Sequence, residues 1–175
     1  ITHIDRYVER IAEEELKNGI EKYQALAGEA IIMDPQTGAI IASASYPNYD
    51  PMSYWKFDPP SMKNPSISES YEPGSTFKAL IMAAALDKGV LSPDTQCDMC
   101  NGPTTIGKYT IKTWNGKYPE NPTMTDVIIH SNNIGMVFVG QRLGKNAVVE
   151  YLKKFGIGEA TGIDLQGEVS PKLRD

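Results

Sequence analysis

The sequence predicts an α+β domain. Three observations point there. Apolar residues recur at helical spacing from about Asp5 to Tyr23. Two short β-rich runs then flank a Pro/Gly turn. Apolar helical runs return after Ser75 and again in the last third of the chain.

The first helix shows Ile4, Tyr7, Val8, Ile11, Leu16, Ile20 and Tyr23 on one face, with Glu, Lys and Arg between them. Asn18-Gly19 is expected to weaken, break or kink it. Ala30–Met33 and Ala39–Ser43 read as two buried strands joined by Asp34-Pro35-Gln36-Thr37-Gly38, a hairpin. From Tyr46 to Glu72 the pattern is loop-like and Pro-rich, but Tyr46, Tyr49, Tyr54, Trp55 and Phe57 imply that it packs on something. A helix of small uncharged residues begins at Ser75 and stops near Asp87-Lys88-Gly89. Residues 92–121 are polar and weakly β, with a small hairpin expected over Thr104–Ile111. Thr123 or Thr125 caps the next helix, Ser131-Asn132-Asn133 breaks it, and Gly144 and Gly156 end two more.

At 175 residues, 41% apolar and 22% charged, the chain is one globular domain or a large piece of one. Net charge is −5 without a basic cluster, so nothing argues for nucleic acid or an anionic membrane surface. No apolar run approaches the roughly 20 residues of a membrane helix. The start, Ile1-Thr2-His3-Ile4-Asp5, is not a signal peptide, so any anchor is expected outside these residues. The two cysteines form Cys97-Asp98-Met99-Cys100. A zinc half-site, a redox pair, a structural disulfide and two free thiols all remain open.

Ser-x-x-Lys occurs twice. Ser53-Tyr54-Trp55-Lys56 sits in the Pro/Asp-rich loop with no apolar helix to bury its lysine. Ser75-Thr76-Phe77-Lys78 opens an apolar helix. Residues three apart share a helix face, and an amine desolvated beside a hydroxyl can act as its base. The bland alternative makes Ser75 an N-cap and Lys78 a solvated side chain. Ser131-Asn132-Asn133 likewise reads either as a helix stop and turn, or as a hydroxyl and an amide facing a cleft. His130 beside Ser131 does not make a triad, because adjacent helical residues point apart.

Taken together these residues resemble the transpeptidase domain of class B penicillin-binding proteins. The matching strings are Met33-Asp34-Pro35 with Thr37-Gly38, Ala44–Pro47 with Asp50-Pro51, Tyr71–Lys78, Ser131-Asn132-Asn133, Phe155–Gly158, and Thr161–Leu165 with Gly167-Glu168. The resemblance implies a penicillin-binding protein/serine β-lactamase-like fold, a helical cluster packed on an antiparallel sheet of which this chain holds the N-terminal hairpin. It implies Ser75 as the acylated nucleophile and Lys78 as its base. Ser131 would pass a proton to the leaving amine, and Asn133 would bind the acyl-donor side chain. The implied substrates are peptidoglycan stem peptides and β-lactams, with no cofactor and no metal. Cell-wall synthesis proteins would be partners, on the outer face of the bacterial cell membrane.

One departure stands out. The family's Lys-Ser/Thr-Gly motif is absent, its nearest strings being Lys112-Thr113-Trp114, Gln36-Thr37-Gly38 and Ala160-Thr161-Gly162. In the family that strand binds the substrate carboxylate and gives one oxyanion-hole N–H. Residues 1–175 are therefore expected to be a transpeptidase domain incomplete at its C-terminus, completed by its missing part or by a second chain. Two other readings stay open: a class D-type β-lactamase or β-lactam sensor, and an inactive scaffold of the cell-wall machinery.

Overall fold

Asp5 starts the first helix by accepting hydrogen bonds from the Tyr7 and Val8 amides through its carboxylate. The helix, α1, spans Arg6–Tyr23 and ends on Gln24 in the left-handed region. It runs through Asn18-Gly19 without a break, contrary to expectation. Its buried stripe supplies the reason: packing of Ala12 and Ile20 outweighs the roughly 1 kcal/mol that an interior glycine costs. The computed structural model describes residues 2–170, 172 and 173 and, for Pro60 and Ser61, the backbone. The first and last residues of the expected domain lie outside that set.

The hairpin follows as β1, Gly28–Met33, and β2, Ile40–Tyr46, antiparallel with a register shift between Ile32 and Met33. Its turn is tied by the Asp34 carboxylate, which accepts from the Gln36 amide and the Thr37 hydroxyl. Those bonds hold the carboxyl below its ordinary range. α1 packs on β2, with Ala12, Ala42 and Ala44 at the centre of a small core. Two further bonds tie the pair: the Ser43 amide to the Glu9 carboxylate at 2.8 Å and the Asp5 amide to the Ile41 carbonyl at 2.9 Å. The expectation of two buried strands holds for β2 only. On β1, Ile31, Ile32 and Met33 are 51%, 41% and 53% exposed. Among the described residues β1 has a single strand neighbour, so its outer edge is open.

The Pro-rich loop condenses into short turns: 3-10 segments at Pro51–Lys56 and Pro59–Met62 and a one-turn helix, α2, at Pro65–Ser68. Tyr49 and Phe57 meet edge to face and are half-buried, whereas Tyr54 and Trp55, also edge to face, are exposed. Residues up to Ser70, with Asp164–Val169, form one compact unit.

The second unit is chiefly Tyr71–Ile163. A 3-10 turn, Gly74–Phe77, leads into α3, Lys78–Asp87. Thus the regular α-helix begins at Lys78, three residues later than expected. Gly89, at a positive φ of 69°, stops it. A small hairpin, β3 Thr104–Ile106 and β4 Tyr109–Ile111, precedes three helices: α4 Met124–Ile129, α5 Asn133–Leu143 and α6 Lys145–Lys154. Met82, Ala84 and Ala85 of α3 pack with Met124, Val127, Ile134, Phe138, Val139 and Tyr151. Cys97 and Cys100, joined by a disulfide, are fully buried in this core. That decides among the four readings of the cysteine pair.

Candidate active site

α4 begins with a reciprocal box: the Thr123 hydroxyl accepts from the Asp126 amide, and the Asp126 carboxylate accepts from the Thr123 amide. It ends in a tight reversal. The Ser131 amide donates to the Ile128 carbonyl and the Asn132 amide to the Val127 carbonyl, with Ser131 at φ 51°. Glycine normally fills such a position, so a serine here holds a strained backbone. Asn132 then caps α5, its Oδ1 accepting from the Ile134 and Gly135 amides. The triplet is therefore a helix stop whose three residues divide the work. Asn132 turns inward to build the corner, while Ser131 and Asn133 turn toward α3.

Opposite them is Lys78, the first residue of α3. Its Nζ donates to the Ser131 carbonyl at 2.8 Å, the Ser131 Oγ at 2.9 Å and the Asn133 Oδ1 at 2.6 Å. An ammonium has three hydrogens, and all are engaged. Burial pushes its pKa below the ordinary lysine value. The positive end of the α3 dipole acts in the same direction. Once deprotonated, the amine can accept from a hydroxyl. The Asn133 amide is fixed from its other end, where Nδ2 donates to the Lys112 carbonyl at 2.9 Å. One Nδ2 hydrogen stays available for a ligand.

Ser75 lies one turn before Lys78, exposed on the 3-10 segment. Its side chain caps no helix and, among the described residues, its hydroxyl makes no hydrogen bond. Gly74, at φ 60°, makes the bend that precedes it. The structure so brings Lys78, Ser131 and Asn133 into direct contact and leaves the Ser75 hydroxyl unengaged nearby in the chain. Ser75 caps no helix, and Lys78 is half-buried with its amine engaged rather than fully solvated.

The decoy pair behaves as its context foretold. The Ser53 hydroxyl donates to Asp50, and Lys56 is exposed. The His130 side chain is exposed and bonds no serine. Sequence reasoning missed the Lys112 carbonyl, since a backbone atom leaves no trace in residue identity. It also missed Asn132 as the cap of α5; the polar residue directly before an apolar run was the signal. Among the described residues no group of His, Cys, Asp and Glu could hold a metal. No helix among them is long and apolar enough to cross a membrane.

An α+β chain with a half-buried lysine bonded to a Ser-x-Asn corner has the architecture of the serine penicillin-recognising domains. Comparison gives the family. A model of the penicillin binding protein transpeptidase domain matches residues 28–174, and the chain belongs to that family. It is 36% identical over 166 residues to stage V sporulation protein D of Bacillus subtilis (strain 168), covering 94% of this chain and 26% of that protein. It is 31% identical over 167 residues to the peptidoglycan D,D-transpeptidase FtsI of Escherichia coli (strain K12), covering 95% of this chain and 28% of that one. The chain thus spans about a quarter of the length of these relatives. Among solved structures, the transpeptidase domain of Burkholderia pseudomallei penicillin-binding protein 3 superposes with a TM-score of 0.85 at 25% identity, covering 99% of this chain and 47% of that one. A peptidoglycan glycosyltransferase from Burkholderia ambifaria gives 0.86 at 26% identity, covering 100% and 51%. The fold is accordingly the penicillin-binding protein α+β fold.

Proposed function

We propose that this chain is the serine-bearing part of a peptidoglycan D,D-transpeptidase domain, working on the outer face of the cell membrane. The observation that carries the reading is the Lys78 amine, held on Ser131 Oγ and Asn133 Oδ1 one turn from an unengaged serine. In its neutral form Lys78 takes the proton of Ser75 as Oγ attacks the penultimate D-Ala carbonyl of a stem peptide. The tetrahedral intermediate collapses, the C–N bond breaks, and the terminal D-Ala leaves with a proton relayed from Lys78 through Ser131. An amine on a neighbouring strand then attacks the ester. Its proton returns by the same route to Ser75 Oγ, and a new peptide bond is left. Asn133 orients the acyl donor through its remaining amide hydrogen. A β-lactam enters by the first step and stops at the ester.

The strand that would carry Lys-Ser/Thr-Gly is not among the 175 residues. We assign it to a further part of the domain, or to a second chain, seated beside β1. Missing one oxyanion donor costs about 10²–10³ in rate. The chain by itself should therefore acylate slowly but at the right atom. Intact-mass and peptide mass spectrometry after long incubation with benzylpenicillin test this. The expected result is one adduct, on Ser75, absent in Ser75→Ala. No adduct even at long times would favour the scaffold reading, and hydrolysed penicillin without a lasting adduct would favour the β-lactamase.

A further inference from the structure

Beside the catalytic cluster lies a second cavity, of about 480 Å³, that the proposed reaction does not use. Thr113, Trp114, Lys117 and Tyr118 line one side, His130 and Asn132 another. Both walls adjoin the cluster through the chain. Thr113 follows Lys112, whose carbonyl holds Asn133, and His130 and Asn132 flank Ser131. The volume falls in the range of small-ligand sites and accommodates one or two amino-acid residues.

The lining holds polar groups with nothing to bond. Asn132 is only 4% exposed, and its Oδ1 is taken up by α5. Its Nδ2 has no partner among the described residues. Thr113 is 9% exposed, and its hydroxyl also lacks one. A fully buried hydroxyl without a partner, such as that of Thr113, is uncommon in native proteins. Above them the Trp114 ring is 76% exposed, with Nε1 reaching the His130 carbonyl at 3.4 Å. That contact holds an apolar platform out in water. The charges have one sign: Lys117 and His130 line the cavity and no carboxylate does, in a chain of net charge −5.

We infer that this cavity binds a free carboxylate of the peptide substrate on the acyl-donor side of the scissile bond. The Lys117 ammonium and the Asn132 amide donate to it, and the Trp114 ring supports the chain that bears it. The inference rests on the proposed transpeptidase reading and adds a specificity element to it. Substrates whose side carboxylates are amidated should be poorer ligands.

The test uses Trp114 fluorescence in the 175-residue chain carrying Trp55→Phe, which leaves Trp114 as the one tryptophan of the two. One ligand is a synthetic pentapeptide ending in D-Ala-D-Ala with free carboxylates on its second and third residues. The other is the same peptide with both as carboxamides. The free acid should quench Trp114 with about fivefold or greater advantage in Kd. Lys117→Gln should erase that advantage and Lys117→Glu reverse it. Lys117 is exposed, so both variants should keep the parent circular dichroism. Equal affinity for the two peptides, no quench by either, or a preference that survives Lys117→Gln overturns the inference. A Ser75 penicillin adduct without carboxylate preference sinks the cavity alone. A carboxylate preference without an adduct sinks the acyl-transfer reading instead.

Discussion

Ser131 holds a backbone conformation, and Lys78 a half-buried amine, that stability alone would not select. Burial disfavours the Lys78 ammonium, and the three oxygens around it favour it. The net direction is downward, so the neutral form appears at lower pH than for a free lysine. Acylation of Ser75 should rise with pH as Lys78 loses its proton, with a midpoint below the ordinary lysine value. Stopped-flow or mass-spectrometric rates across pH would show it, and a rate flat with pH would count against the lysine as base. Arginine cannot lose its proton in this range, so Lys78→Arg should lower acylation by about 10²-fold or more at every pH. Ser131 is a second case. Its left-handed φ of 51° suits glycine, and the hydroxyl reaches Lys78 at 2.9 Å. Ser131→Gly should relieve backbone strain while losing the hydroxyl; Ser131→Ala should lose the hydroxyl and keep the strain. The glycine variant should be about 1 kcal/mol more stable than the alanine variant, with acylation impaired in both. Urea midpoints of the two variants decide the order.

At the scale of elements, the corner between α4 and α5 sets where Ser131 and Asn133 point, and Gly135 sets the corner. A Cβ on Gly135 would lie 2.3 and 2.6 Å from the two methyls of Val127. Val127 is fully buried and β-branched, so it has little freedom to yield. Alanine normally gains about 1 kcal/mol over glycine inside a helix. Here overpacking should win: Gly135→Ala is expected to lower stability by about 1–3 kcal/mol and to slow penicillin acylation by shifting the corner. A raised urea midpoint would contradict this. The same corner shows what could be read from residues alone. Thr123, Gly89 and Gly144 mark helix ends through local chemistry, and those ends lie within a residue or two of expectation. The triplet could be located as a break. It could not be divided into cap and site, because that depends on α3 approaching from 53 residues away. The start of α3 was placed early for a related reason. A 3-10 turn and an α-helix accept the same residues and differ in hydrogen-bond register, which residue identity does not reveal. The loop before it reads correctly as irregular, but which of its aromatics are sheltered is a tertiary matter.

At the scale of the molecule, the open side of β1 is where the proposed domain would continue. Ile31, Ile32 and Met33 are apolar, β-prone and half in water. A run read as buried from its composition is exposed because a strand is covered by its neighbours rather than by its own sequence. Among the described residues β2 alone pairs with it. Two-stranded sheets are marginal, and an unpaired apolar edge is a template for another strand. In the proposed domain that place belongs to further strands of the same fold, one of them carrying Lys-Ser/Thr-Gly. Without them, the edge should find a substitute. The chain at raised concentration should form dimers through β1, seen as a concentration-dependent weight-average mass in sedimentation equilibrium. Ile31→Lys places a charge on this edge strand and should shift the population to monomer, since charged edges resist strand addition. Ile31 lies on the hairpin and Lys78 on α3, so the same variant should acylate at the parent rate per monomer. Should Ile31→Lys leave the mass distribution unchanged, the association would run through another surface and β1 would not be the seat of the proposed further strands.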